Sequence, residues 1–469
     1  MTCKTPSSRF LFAIGLSVLA LACAEENPPA DETSETGDGD GDTETGDGDG
    51  DTGDGDGDGD GEPGDGDGDP NPPSSFEVGF DVVDLSPDDT ELTDEFYLGG
   101  YGIYTERGPA QGVHDPVFVR SMAIGYGANE GGVFAIVDSI GMGNLWTRQI
   151  RAQVAENTGL SAEQVVISST HTHAGPDLQG LWGGLPDPYR ERIIADIIES
   201  MTTAWNEREP AELTVGSLTA DNRNRRDWGF TDEALTAIQA FAIDDRALLG
   251  TTVIFAAHPV VLDSDNLLIS RDWCGYAVDS LEASTGSTVL YFNGVQGDVS
   301  PAVPEGMYAD DFERAAAYGE HVAERSLMAI ADSEPISVDF HRAFQSFELD
   351  VTNENFLFAA QAGILDYEFE NGGMSVTTQT SYFRFGEQLQ IITFPGESLT
   401  RNGLSVREAM TAPHQAIMGL SMDSLGYFVP TDEWMTGLND NYEESVSLGM
   451  NAGDVTRDLM VELIGSDPG

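Results

Sequence analysis

From Ala24 to about Pro73 the chain is almost pure glycine and aspartate, with some glutamate, threonine and proline, as in Gly53-Asp54-Gly55-Asp56-Gly57-Asp58. Such a stretch has nothing apolar to bury, glycine raises the entropy lost on ordering, and the like charges repel, so no core forms there. Residues 24–75 are therefore expected to be an extended, disordered acidic linker, and the fold must come from residues 76–469. An EF-hand reading of the Asp-x-Asp-x-Asp-Gly repeats fails, because that loop needs flanking helices and a Glu at its twelfth position.

What precedes the tract has the layout of an export signal. Lys4 and Arg9 lead into the apolar run Phe10 to Ala22, which is too short to span a bilayer, and Cys23 follows. Leu19-Ala20-Leu21-Ala22-Cys23 resembles a lipobox, in which Cys23 is lipidated and becomes the mature N-terminus. Residues 1–23 are thus expected to be a lipoprotein signal peptide, giving an exported protein held at the outer membrane or cell surface through its N-terminal lipid. Ala20 departs from the usual Leu, which leaves ordinary secretion as the alternative. Of the 3 cysteines, Cys3 lies in the signal and Cys23 is the lipid site, so Cys274 has no partner for an internal disulfide.

Charge excludes several functions. The formal net charge is -61, and residues 24–70 hold 20 acidic and no basic side chains, which leaves most of the excess in the folded part. Lys4 is the only lysine, so the mature chain has no amine for Schiff-base chemistry. The acidic balance also argues against nucleic acid and against electrostatic docking on anionic lipid. Oligomeric state is not legible at this level.

Beyond residue 76, short β-branched runs alternate with helical spacing. Strands are expected at 76–84, 117–124, 132–138, 213–215, 237–243, 251–256, 288–292, 338–351, 380–385 and 389–394, and helices at 146–155, 189–205, 273–283, 312–331 and 399–410. No period of 20 to 50 residues recurs, which excludes solenoids and propellers. The class is α/β, with mixed β-sheets flanked by helices in a single large domain.

Polar residues gather at the ends of these strands. Gln164-Val165-Val166-Ile167-Ser168 delivers Ser169-Thr170-His171-Thr172-His173-Ala174-Gly175-Pro176-Asp177, which places two of 7 histidines within three residues. On an extended backbone residues i and i+2 face the same way, so His171 and His173 would either share a metal or divide metal binding and proton transfer between them. Ala257-His258-Pro259 ends another apolar strand, Gly297-Asp298-Val299-Ser300-Pro301 follows a third, and Pro395-Gly396-Glu397 follows a fourth. Each alone reads as a satisfied histidine, a turn or a helix start. Four polar groups at strand C-termini together mark the usual place of an active site.

Gly112-Val113-His114-Asp115-Pro116, the His171/His173 stretch, Asn222-Arg223-Asn224-Arg225, Ala257-His258-Pro259, Gly297-Asp298-Val299-Ser300-Pro301, Phe394-Pro395-Gly396-Glu397 and Gly426-Tyr427 stand in the order found in neutral, non-lysosomal ceramidases, and most of residues 76–469 resembles that family. The resemblance implies a zinc amidase that cuts ceramide into sphingosine and fatty acid, with a lipid as substrate and Zn2+ as cofactor. It implies His171, His258, Glu397 and Tyr427 as metal ligands, His173 as the proton donor to the leaving amine, and Ser300 either as nucleophile or as a group that only holds the amide. Arg225 and Tyr442 match residues that contact the amide or the headgroup hydroxyls, although Arg225 also reads as a plain surface arginine. Two departures stand out. The C-terminal immunoglobulin-like domain common in the family has no counterpart before Gly469, and the stretch from Pro430 to Tyr442 is longer than usual. Other N-acyl or ester substrates, or a tethered binding protein without turnover, remain open.

Overall fold

The computed structural model describes residues 73–101, 105–226, 228–435 and 442–469. The signal segment, nearly all of the Gly-Asp tract, and the lengthened stretch at 436–441 lie outside the described residues.

Eight strands form the path of the larger sheet: β1 (Phe76–Asp84), β2 (Phe118–Tyr126), β3 (Glu130–Val137), β4 (Val165–Ser169), β5 (Glu209–Thr219), β6 (Ala234–Ala242), β7 (Leu248–Phe255) and β8 (Thr288–Asn293). Their order is β8-β7-β6-β5-β1-β2-β3-β4, and the short strand Glu334–Pro335 pairs with β5. Only the outermost pairs, β7 with β8 and β3 with β4, are parallel. The sheet bends where β1 meets β5 through three residue pairs, Phe76 with Ala211 to Val78 with Glu209. Its two halves then face each other: a Cβ on Gly250 in β7 would strike the Phe80 ring of β1, and the Thr252 hydroxyl of β7 reaches Met122 Sδ of β2.

A second sheet completes the interior. β9 (Phe340–Asp350), β10 (Ser375–Phe385), β11 (Leu389–Thr393) and β12 (His414–Met418) run in that order. Phe383, Phe385, Ile391 and Met418 from it share one core with Phe134, Ile136, Leu213, Ile254 and Phe292 of the larger sheet. The outward faces of both sheets carry helices. α1 (Asn144–Thr158) and α2 (Asp187–Asn206) cover the β1 to β4 half, while α3 (Asp272–Thr285) and α4 (Asp311–Ala331) cover the other half. α5 (Thr400–Ala409) and α6 (Ala452–Gly465) cover the second sheet.

Sequence pattern explains the layering. In β3, Val133, Ala135 and Val137 point to the helices while Phe134 and Ile136 point inward, so a strand buried on both faces reads as a continuous apolar run. In α2, Tyr189, Ile193, Ile197 and Met201 recur every four residues and bury one stripe, and the helix opens with Pro at its first turn, where the missing N–H has no partner to lose. Among the described residues no helix is long and apolar enough to cross a membrane. β12 and α6 are elements that the hydrophobic pattern alone did not reveal.

Candidate metal centre

The C-terminal ends of the two edge strands converge. Asn293, the last residue of β8, donates from Nδ2 to the carbonyl of Thr170, the residue after β4, at 3.0 Å. The Ser169-to-His173 stretch does not continue the strand, as an i, i+2 pairing on extended backbone would require. Thr170 N–H bonds Val137 O, His171 N–H bonds Ser139 O, and His171 takes φ 68°. Left-handed backbone at a non-glycine residue is uncommon and is held here by the two bonds that fold the chain over the end of β3. The two histidines still meet, through a turn: His173 Nε2 lies 3.4 Å from His171 Nε2.

His171 Nδ1 is 2.5 Å from Ile140 O, and His258 Nδ1 is 2.7 Å from Gln296 O. A carbonyl only accepts, so both Nδ1 atoms carry the proton and both Nε2 atoms present lone pairs, which is how metal-ligating imidazoles are usually oriented. The lone pairs meet at Glu397 Oε2, 3.2 Å from His171 Nε2 and 3.1 Å from His258 Nε2. That oxygen is buried without a well-formed hydrogen bond among the described residues. Tyr427 Oη lies 3.4 Å from His258 Nε2. Glu397 and Tyr427 are register partners in a short parallel pair, Glu397–Ser398 with Tyr427–Phe428, so the backbone sets the two oxygen donors side by side. Gly297 allows this pair to approach: its N–H bonds Ser398 O at 2.8 Å, and a Cβ there would lie 2.7 Å from the carbonyl oxygens of Glu397 and Ser398.

Two imidazole nitrogens that meet at a carboxylate oxygen, with a phenol oxygen beside one of them, are a donor set that fits a divalent ion such as zinc. The nitrogens of His171, His173 and His258 also lie within 4.8 Å of one another. Burial alone would raise the Glu397 carboxyl, but the charge and hydrogen bonds that His171 and His258 offer when protonated at Nε2 outweigh it and hold the carboxyl well below the usual carboxylate range. Burial lowers His258 to about 4, with only part of the effect offset by Glu397. Burial, then the neighbouring His171 and His258, push His173 well below its usual value, so it is a neutral imidazole at pH 7. Burial beside the Glu397 charge drives the Tyr427 phenol well above its usual value, against the pull of Arg225.

Three residues around His173 went unnoticed in the sequence. The Tyr101 ring packs 4.8 Å from it, a Cβ on Gly100 would touch the imidazole at 2.5 Å, and Arg107 Nη1 donates to the His173 carbonyl at 2.5 Å. Their one signal was the glycine pair before Tyr101, where φ of 115° at Gly100 admits the close approach.

Arg225 belongs to the centre and is not a plain surface residue. Its Nη2 donates to Gly297 O at 2.6 Å and to Tyr427 Oη at 3.1 Å. Ser300 lies in the three-residue strand Val299–Pro301, paired antiparallel with Asn222–Asn224 so that it faces Arg223, and it is half-buried. The adjacent Val299 carbonyl accepts from His258 N–H at 3.0 Å. Among the described residues the Ser300 hydroxyl makes no hydrogen bond to the imidazoles. Tyr442 is 44% exposed, its ring 5.9 Å from that of Tyr427.

No protein-family model matches the chain. Solved structures do. A neutral ceramidase from Pseudomonas aeruginosa superposes with a TM-score of 0.70 at 17% identity, over 83% of this chain and 74% of that one. A ceramidase complexed with C2 superposes with a TM-score of 0.69 at 18% identity, over 83% and 75%. This chain has the fold of those proteins.

Proposed function

We propose that this protein is a zinc-dependent amidohydrolase of N-acylated lipids that cleaves ceramide to sphingosine and fatty acid. The observation that carries the reading is the convergence of two Nε2 lone pairs, each fixed by an Nδ1 bond to a backbone carbonyl, on the orphaned Glu397 oxygen. The neutral ceramidase fold supports it. His171, His258, Glu397 and Tyr427 would hold the ion. When bound, zinc supplies Lewis acidity toward the amide carbonyl.

The chain's own groups supply the rest. Neutral His173 is suited to take a proton from the attacking hydroxyl and return it to the departing nitrogen, so that the C–N bond breaks to a neutral amine. Ser300 is read as the nucleophile, its Oγ forming an acyl ester that water then hydrolyses. Where water attacks directly, Ser300 holds the amide instead. Arg225 and Tyr442 would contact the amide oxygen or the headgroup hydroxyls. The protein is further proposed to be exported and anchored through Cys23.

Fatty-acid release from a panel of ceramide, other N-acyl amines and acyl esters tests this reading. Cleavage of ceramide is expected. Cleavage of esters or other amides alone would move the substrate assignment, and no release from any compound by zinc-loaded protein would leave a binding protein of the same fold.

A further inference from the structure

Glu443 and Glu444 are consecutive acidic residues in the four-residue helix Tyr442–Ser445, in a chain with far more acidic than basic side chains. Such a pair is ordinarily solvated, yet Glu443 is 0% and Glu444 5% exposed. Buried carboxylates need partners, and these meet two consecutive arginines. Arg225 Nη2 lies 3.3 Å from Glu443 Oε1, an ion pair without a well-formed hydrogen bond, and Arg226 Nη1 donates to Glu443 Oε2 at 3.3 Å. Arg226 Nη2 lies 3.4 Å from Glu444 Oε1 and donates to the Glu433 carbonyl at 3.2 Å. Arg225 thus stands between Glu443 and the Tyr427 phenol oxygen, while Arg226 ties both carboxylates to the same loop.

We propose that Glu443 is a positioning residue of the metal centre: it holds the Arg225 guanidinium against Tyr427 and balances its charge, so that the segment carrying Tyr442 and the ligand Tyr427 are coupled through one arginine. This rests on the reading of Tyr427 as a ligand. Glu443 touches neither ion nor substrate and acts through Arg225. Without its charge, Arg225 loses an anchor and presents an unbalanced cation to the ion's surroundings. Glu444 meets Arg226 and accepts from Met435 N–H at 3.0 Å, and among the described residues its carboxylate does not pair with Arg225.

The test is zinc affinity, measured by chelator competition on wild type, Glu443→Gln, Arg225→Gln, the double variant, and Glu444→Gln. Glu443→Gln is expected to weaken zinc roughly tenfold, in the range of outer partners of metal ligands. In the Arg225→Gln background the same change should have no effect, and Glu444→Gln should bind like wild type. An unchanged affinity in Glu443→Gln, or an equal loss with and without Arg225, overturns the proposal. If Glu443→Gln does not fold, Glu443→Asp decides: the shortened carboxylate should weaken zinc by less than tenfold, and wild-type affinity overturns the idea. A wild-type protein that binds no zinc overturns the metal centre itself along with this inference.

Discussion

At the scale of single residues, the proposed function divides the centre into groups that hold the ion and a group that moves protons. Among the described residues His173 Nδ1 is buried without a hydrogen-bond partner, in contrast to the anchored Nδ1 atoms of His171 and His258, so no backbone carbonyl fixes its tautomer. His173→Ala is therefore expected to keep its metal and lose about 10² to 10⁴-fold in kcat, measured as fatty-acid release by protein of known zinc content; loss of zinc in that variant would make it a ligand. A second residue bears on stability. Burial lifts the Asp423 carboxyl to about 7, against the Thr378 hydroxyl bond and the charges of Arg148 and Arg151. The unfolded value is about 3.9, so the folded state holds this proton more tightly, the penalty is absent below about pH 4, and stability is lost as pH rises through 7. Asp423→Asn keeps an acceptor for Thr378 and does not ionise. Its thermal midpoint should fall less than that of wild type between pH 5 and pH 8, a window that carries at most about 3 kcal/mol of this linkage, and identical pH profiles would contradict the assignment. The histidines were legible because chemistry-bearing residues at strand ends are few. The turn at His171 was not, because its left-handed φ depends on bonds to Val137 and Ser139 more than thirty residues away. Glu443 was hidden for a related reason: only the fold brings Arg225 and Arg226 to it.

At the scale of elements, the ligand geometry is set by backbone pairing. The Glu397–Ser398 strand must lie against both Tyr427–Phe428 and Gly297 for its carboxylate to reach the imidazoles. Gly297→Ala places a methyl carbon against two carbonyl oxygens that have no room to retreat, which pushes Glu397 away from the histidines. Zinc affinity should fall about tenfold or more, read by chelator competition, and an unchanged value would show that the strand has slack. Strands and helices with strong periodicity were placed correctly from sequence, as with the helix expected at 312–331 and found at Asp311–Ala331. β12, the five residues His414–Met418, was missed because it is short and gains its place by parallel pairing with β11. The three-residue strand holding Ser300 is likewise a product of pairing with Asn222–Asn224, not of local propensity.

At the scale of the whole molecule, the α/β class and the fold shared with the ceramidases followed from alternating patterns and ordered motifs, whereas the bend that lets two halves of one sheet face each other followed from neither. Chain bend and sheet closure are long-range properties, decided by three residue pairs between β1 and β5. Beyond Ala30 the Gly-Asp tract has no aliphatic or aromatic side chain to add to that core. A chain beginning at Ser74 should melt and hydrolyse as the longer chain does, and a clear drop in either would refute its reading as a tether. In the proposed function His171, His258, Glu397 and Tyr427 hold one zinc ion. That assignment is tested most directly by elemental zinc per mole of purified protein for wild type beside His258→Ala. One equivalent is expected in wild type and substantial loss in the variant, whose remaining donors leave an incomplete shell; a full equivalent retained in His258→Ala would contradict this ligand set.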